Sequence, residues 1–151
     1  MPSILDKIVA QRRLDVVAAK AAVPEQVLRD KIHARAPAND FVATLTHAAP
    51  MAVLAEIKRA SPSKGDIAMG IDAPQQALAY ALAGACTIST LTEPTWFKGS
   101  LQDLENVRAA LVDAGLSEGG AVGPVCVLRK DFLIDEFSGI VEEMDADKSL
   151  P

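Results

Sequence analysis

Three short apolar runs, at residues 51–57, 86–92 and 125–130, constrain the fold of this chain more than any other feature. The first of them, residues 51–57, is of the kind that a strand covered on both faces of a sheet shows, and the other two are also strand-like. Helical patterns occupy residues 72–83 and 100–113 between them. The alternation of strands and helices predicts an α/β fold with a parallel sheet.

The sequence pattern of residues 1–50 predicts a helical region that precedes the first strand. Ser3 and Asp6 form a capping-box pattern at the start of a first helix. Pro24 suits the first turn of a second helix, and Asn39 is a candidate cap for a third.

Composition excludes several classes of protein. The net charge of -5 argues against a general nucleic-acid binder, and no apolar run approaches the roughly 18 residues of a membrane span. The N-terminus lacks the order of charged and apolar segments that a secretory signal has, so a cytoplasmic location is expected.

Cys86 and Cys126 lie in apolar runs and are predicted to be free buried thiols. His33 and His47 stand apart from other ligand types, so no metal site is expected.

Lysines lie at the ends of the three predicted strands. Lys58 and Lys64 follow the first strand, Lys98 follows the second, and Lys130 is the last residue of the third. The carboxyl ends of parallel strands converge on one face, where ligands bind. We therefore predict a site for an anionic ligand, a phosphate or a carboxylate. The alternative, that these lysines only solvate loop ends, stays open.

Further polar residues belong to the same region. Glu56 and Lys58 are two residues apart, so on a strand their side chains lie on the same face. They are either a functional pair or a structural ion pair. Ser61, Ser63 and Gly65 offer hydroxyl and backbone N–H groups to a phosphate, although such a segment is also common in ordinary loops.

Aromatic residues also lie just beyond the strand ends. Trp96, Phe97 and Phe132 suit an aromatic ligand, or they cap the core. No G-x-G-x-x-G motif follows the first strand, which disfavours a dinucleotide-binding fold and favours a phosphate-binding barrel.

Three segments resemble the successive strand-end motifs of the indole-3-glycerol phosphate synthase family. They are AEIKRASPSKGD at 55–66, LTEPTWFKGS at 91–100 and LRKDF at 128–132, and the opening ILDKI at 4–8 is similar to that family's N-terminal extension. The resemblance implies a partial TIM (β/α)8 barrel of the ribulose-phosphate-binding type, with about three strand–helix units after the N-terminal helical extension.

The resemblance also implies a division of the chain: a helical extension at 1–50, the first three barrel strands at 51–137, and a divergent tail at 138–151. The family's general-base glutamate, its active-site asparagine and part of its phosphate site belong to later strands. We therefore expect the isolated chain to have little or no synthase activity. The alternatives are a non-catalytic phosphate-binding or interaction fragment, and another phosphate-barrel lyase or isomerase.

The reaction that the resemblance implies closes 1-(2-carboxyphenylamino)-1-deoxyribulose 5-phosphate to indole-3-glycerol phosphate, with loss of CO2 and water, in tryptophan biosynthesis. No cofactor and no metal are implied. Lys130 would be the general acid, Lys58 would hold the substrate carboxylate, and Glu56 would orient the lysines.

The implied partner is this phosphorylated anthranilate–ribulose substrate, with no nucleic acid and no membrane. Ser61 would help to bind its phosphate, while Phe97 and Phe132 would line the pocket for its anthranilate ring. Fusion to other tryptophan-pathway domains, which occurs in some relatives, is one arrangement that the resemblance allows.

Overall fold

The computed structural model describes residues 2–34, 38–48, 50–117 and 123–131. These residues fall into two compact units. The described part of the first unit is residues 2–34, and that of the second extends from residue 38 to residue 131. The predicted site residue Phe132 lies outside the described residues.

The first unit contains α1 (Ile4–Ala22) and α2 (Glu25–His33). The predicted capping box starts α1. The hydroxyl of Ser3 accepts a hydrogen bond from the backbone N–H of Asp6 at 3.1 Å, and the Asp6 carboxylate accepts one from the backbone N–H of Ser3 at 2.7 Å. Two of the backbone donors that every helix start leaves unpaired are thereby satisfied, which confirms this prediction.

The second unit contains a parallel sheet and the helices that cover it. Its elements are α3 (Phe41–His47), β1 (Leu54–Ile57), β2 (Ala60–Ser61), β3 (Gly65–Asp66), α4 (Ala73–Leu82), β4 (Thr87–Leu91), α5 (Leu101–Asp113) and β5 (Cys126–Lys130). The three main strands are parallel in the order β1–β4–β5, which confirms the predicted α/β fold with a parallel sheet. The short antiparallel pair of β2 and β3 was not predicted.

The core of this unit lies between the sheet and α4 with α5. Ile88 on the central strand and Val107 and Leu111 on α5 are fully buried. On α4 the buried residues are alanines, whose small side chains let that helix lie close to its neighbours. Cys86 and Cys126 are both buried free thiols, as predicted.

Local signals set the ends of α4 and α5. The side chain of Asp72 accepts from the backbone N–H of Gln75 at the start of α4, and that of Ser100 accepts from Asp103 at the start of α5. Gly84 and Gly115 follow these helices with φ angles of 100° and 69°. Both glycines adopt the left-handed conformation that commonly ends a helix.

The start of α3 corrects one prediction. Asp40 caps this helix by accepting from the backbone N–H of Ala43 at 2.9 Å. Asn39 instead donates its side-chain amide to the carbonyl of Ser117 at 3.2 Å, so the interpretation of Asn39 as the cap is wrong. The cap must directly precede the first helical residue, and that position belongs to Asp40.

Thr44 on α3 lies 3.0 Å, Oγ1 to Sγ, from Cys126 at the start of β5. This helix is therefore at the amino end of β5, opposite to the strand ends that carry the predicted site. No helix within the described ranges is both long and apolar enough to span a membrane.

Candidate functional site

Glu56 links two lysines at the carboxyl ends of the strands. Its Oε1 atom lies 2.5 Å from Nζ of Lys58, and its Oε2 atom lies 2.5 Å from Nζ of Lys130. Glu56 and Lys58 share a face at the end of β1, while Lys130 ends β5 on the far side of β4. The fold thus brings together the three residues that the sequence assigned to catalysis.

Partial burial and the two lysines act in opposite directions on the pKa of Glu56. Loss of solvent raises that pKa, but the hydrogen bonds and charges of Lys130 and Lys58 outweigh this effect and hold it below its ordinary value. The carboxylate is therefore ionised at neutral pH and holds both ammonium groups. The side chain of Lys130 is 52% exposed, so an incoming ligand has access to it.

A polar cluster fixes the backbone on both sides of Lys130. The backbone N–H of Thr92 donates to the carbonyl of Lys130 at 2.9 Å, and the Thr92 hydroxyl lies 2.9 Å from the carboxylate of Asp131. Arg129 donates to both the Thr92 hydroxyl and that carboxylate. The Asp131 side chain is only 4% exposed, so this cluster anchors the end of β5 from inside the molecule.

Arg59, next to Lys58, connects the end of β1 to the first turn of α5. Its guanidinium bonds both carboxylate oxygens of Asp103, at 2.6 and 2.9 Å. It also donates to the carbonyls of Ile71 and Lys98. A planar guanidinium that joins three segments in this way restricts the direction in which β1 leaves the sheet.

Ser61 lies on β2, in the short hairpin that follows β1. Its side-chain oxygen accepts from the backbone N–H of Lys64 at 3.2 Å. A hydroxyl can accept and donate at the same time. Among the described residues the Ser61 hydroxyl donates to no protein acceptor, so its proton is available to a ligand oxygen.

The loop after β4 carries the aromatic residues Trp96 and Phe97, which are both half-buried. The carbonyl of Phe97 accepts from the backbone N–H of Ala60 at 3.3 Å, so this loop is joined to the segment that holds Ser61. The indole Nε1 of Trp96 is buried and has no hydrogen-bond partner among the described atoms.

Sequence reasoning missed Glu93, whose side chain is fully buried at the start of this loop. Its carboxylate accepts from the backbone N–H groups of Thr95, Trp96 and Phe97. Glu93 lies in the quoted LTEPTWFKGS segment, and an acidic residue immediately after an apolar strand was the signal that could have identified it. The Arg59–Asp103 pair had no local signal, because its members are 44 residues apart.

Residues that could hold a metal do not cluster within the described ranges, where no group of three His, Cys, Asp or Glu side chains comes together. His47 bonds through Nδ1 to the carbonyl of Ala43 in its own helix. The ammonium groups of Lys58 and Lys130 and the hydroxyl of Ser61 are donors of the kind that bind an anionic ligand.

The sequence of this chain is similar to proteins of a known enzyme family. A family model described as indole-3-glycerol phosphate synthase matches residues 5–147, which is almost the whole chain. The chain belongs to the indole-3-glycerol phosphate synthase family. The α/β fold with a parallel sheet is consistent with the TIM barrel of that family.

Relatives of this synthase-family chain include separate synthases and multifunctional proteins. The indole-3-glycerol phosphate synthase of Roseiflexus sp. (strain RS-1) is 41% identical over 137 residues, which cover 91% of this chain and 49% of that protein. Multifunctional tryptophan biosynthesis proteins of Phycomyces blakesleeanus and Phanerodontia chrysosporium are 46% and 49% identical, over 89% and 91% of this chain. The chain spans about half the length of the Roseiflexus synthase and 17% of each multifunctional protein.

Proposed function

We propose that this chain supplies the acid-catalytic part of an indole-3-glycerol phosphate synthase. The reaction is the ring closure of 1-(2-carboxyphenylamino)-1-deoxyribulose 5-phosphate, with loss of CO2 and water. The observation that carries the proposal is the bridge from Glu56 to Lys58 and Lys130, in a chain that belongs to this family. Two ammonium groups held at one carboxylate suit a substrate that carries both a carboxylate and a phosphate.

In this proposal Lys130 is the general acid. It gives a proton to the ketone oxygen of the substrate while the ring carbon that carries the carboxylate bonds to the ketone carbon. Lys58 holds the substrate carboxylate in place and stabilises the negative charge that develops on the substrate as the ring closes. The carboxylate then leaves as neutral CO2, and its bonding electrons stay in the ring. Glu56 orients both ammonium groups, because each of its oxygens bonds one of them.

The proposed binding residues lie on the two loops beside this bridge. Ser61 donates its hydroxyl proton to the phosphate, and Phe97 contacts the anthranilate ring. The hydrogen bond between the carbonyl of Phe97 and Ala60 supports their joint action, because it connects the two loops. The assignment of Phe132 to the ring pocket rests on the LRKDF motif, and this residue lies outside the described ranges.

The proposal extends to the organisation of the protein. We assign β1, β4 and β5 to the first three strands of a TIM barrel, with residues 1–50 as a helical extension, 51–137 as the barrel segment and 138–151 as a divergent tail. Fusion to other tryptophan-pathway domains is supported by the multifunctional relatives, of which this chain covers a small part. A cytoplasmic location stays a prediction from the sequence.

A chimera tests the activity directly. Residues 5–131 of this chain replace the matching segment of the Roseiflexus sp. synthase, and turnover of the carboxyphenylamino substrate is followed by indole fluorescence. We expect turnover within about tenfold of the parent. Lys130→Ala in the chimera should lower kcat by at least about 100-fold, the usual size of a general-acid contribution.

Lys31→Ala is the matched control, since Lys31 is an exposed lysine on α2 and should leave turnover unchanged. A folded chimera that binds the substrate without turning it over would favour the alternative of a non-catalytic phosphate-binding module. A folded chimera whose activity survives Lys130→Ala would refute the role of Lys130.

A further inference from the structure

Glu93 is a buried carboxylate that the proposed reaction does not use. Its side chain is fully buried, and no cation pairs with it within the described part of the chain. A charged group removed from water in this way must be compensated by hydrogen bonds. The structure supplies three of them, all from the backbone of the loop that follows Glu93.

The three donors are consecutive. Oε1 of Glu93 accepts from the N–H of Thr95 at 2.9 Å, and Oε2 accepts from those of Trp96 and Phe97 at 2.6 and 3.0 Å. Three successive N–H groups that face one carboxylate form a concave turn around it. The Glu93 carboxylate is thus bonded to the backbone of the loop as far as Phe97.

The rest of the loop closes tightly behind this turn. The backbone N–H of Gly99 donates to the carbonyl of Glu93 at 2.9 Å. A side chain at Gly99 would overlap the carbonyl of Leu91, so the backbone passes directly against the end of β4. Lys98, which directly precedes Gly99, has a φ of 56°. This value lies in the left-handed region that non-glycine residues seldom occupy. The loop therefore holds a strained conformation around Glu93.

This turn also reaches the neighbouring loop. The carbonyl of Phe97 accepts from the N–H of Ala60, one residue before Ser61. A displacement of Phe97 would thus be transmitted to the start of the β2–β3 hairpin. The proposed ring contact and the proposed phosphate contact depend on the same backbone.

We propose that Glu93 is a positioning residue that places Phe97, and through its carbonyl the Ser61 segment, for ligand binding. This inference rests on the proposed function, since Phe97 and Ser61 are its binding residues. Glu93 itself contacts neither the substrate nor the reacting atoms.

The fluorescence of Trp96 provides the first test. Trp96 is the single tryptophan of the chain, and its backbone N–H is one of the three groups that donate to Glu93. Glu93→Gln keeps the size of the side chain but replaces one acceptor oxygen by an NH2 group, which would face the backbone N–H groups of the loop. In the 151-residue chain, we expect this variant to shift Trp96 emission to longer wavelength and to raise acrylamide quenching, with unchanged helical circular dichroism. Glu105→Gln, at an exposed position of α5, is the control.

Wild-type emission and quenching in a folded Glu93→Gln would overturn the proposal. Amide hydrogen exchange of the wild-type chain tests the same point if the variant does not fold. The N–H groups of Trp96 and Phe97 should exchange more slowly than that of Lys98, and equal rates would also overturn it.

The second test asks whether Glu93 acts through Phe97. The probe is the substrate with its ketone reduced to an alcohol, and its binding to the chain is measured by calorimetry. Phe97→Leu and Glu93→Gln should each weaken binding about tenfold. The double variant should bind no more weakly than Glu93→Gln alone, because the Phe97 contact that Phe97→Leu removes is already lost in that variant. Losses that multiply to about a hundredfold would show that Glu93 acts independently of Phe97.

The two tests separate the inference from the function. If the wild-type chain binds none of the reduced substrate, the proposed function loses its support while the Trp96 and exchange measurements still decide whether Glu93 shapes the loop. If binding is normal but Glu93→Gln leaves it unchanged, the positioning role fails and the proposed function stands.

Discussion

Arg59 and Asp103 are joined by two charge-assisted hydrogen bonds of 2.6 and 2.9 Å that connect the end of β1 to the start of α5. Their side chains are 18% and 16% exposed. Such a pair is stronger than one at the surface, because water screens it less and its planar geometry satisfies both partners. It fixes the segment next to Lys58.

Arg59→Lys should therefore lower the free energy of unfolding by about 1–2 kcal/mol, since a lysine cannot bond both carboxylate oxygens of Asp103 in one plane. The measurement is urea unfolding at neutral pH. Arg108→Lys, at an exposed position on α5, is the matched control and should change stability by less than about 0.5 kcal/mol. Equal effects of the two substitutions would contradict this prediction.

Asp103 should make stability depend on pH. The hydrogen bond from Arg59 lowers the pKa of Asp103 and outweighs the opposing effect of burial. A carboxyl whose pKa is lower in the folded state stabilises that state above its unfolded pKa of about 4, and the contribution disappears as pH falls through the folded pKa. The stability difference between wild type and Asp103→Asn should thus be largest near pH 7 and smaller near pH 3. A constant difference would contradict this expectation.

Glu56 should affect turnover more than substrate affinity. Glu56→Gln removes the charge that holds Lys58 and Lys130, so the proposed acid loses its orientation while the binding loops keep theirs. In the chimera we expect kcat to fall by about 100-fold, with a smaller change in KM. Steady-state kinetics measure both, with Glu105→Gln as the control. A rise in KM alone would instead place Glu56 in ground-state binding.

The hydroxyls of Thr90 and Thr44 should contribute differently to the free energy of unfolding. The Thr90 hydroxyl is buried and has no partner among the residues that the structure describes, so Thr90→Val should leave the free energy of unfolding unchanged or raise it by up to about 1 kcal/mol. The Thr44 hydroxyl donates to the carbonyl of Asp40 at 2.9 Å and lies against Cys126, so Thr44→Val should cost about 1 kcal/mol. Thermal and urea unfolding of both variants provide the comparison, and a loss of stability in Thr90→Val would contradict it.

Features that depend on neighbouring residues were predictable from the sequence. The capping box of Ser3 and Asp6 follows a local rule, and the structure confirms it. The three strands were also identified, but only β4 is buried along its whole length, whereas Leu54 on β1 and Arg129 and Lys130 on β5 are exposed. Within the site, the meeting of Glu56 with Lys130 follows from the general rule that parallel strands end on one face.

Features that depend on tertiary contacts were not predictable. Asn39 and Asp40 are both good helix caps; Asp40 caps α3, and the Asn39 side chain bonds instead to the carbonyl of Ser117, which is distant in sequence. The role of Glu93 requires the folded path of its loop, which sequence spacing does not show. The β2–β3 hairpin forms from only two residues in each strand, too few for a periodic pattern.

The bridge between Glu56 and Lys130 has a consequence for how the site is made. The two residues are 74 positions apart, and β4 lies between their strands. Both strand crossovers must be complete before the ion pair can form, and contacts across such separations are slow to assemble. During synthesis Glu56 leaves the ribosome with Lys58 as its nearest cation, long before Lys130 appears. The second ammonium group thus joins the carboxylate only after β5 has paired with β4.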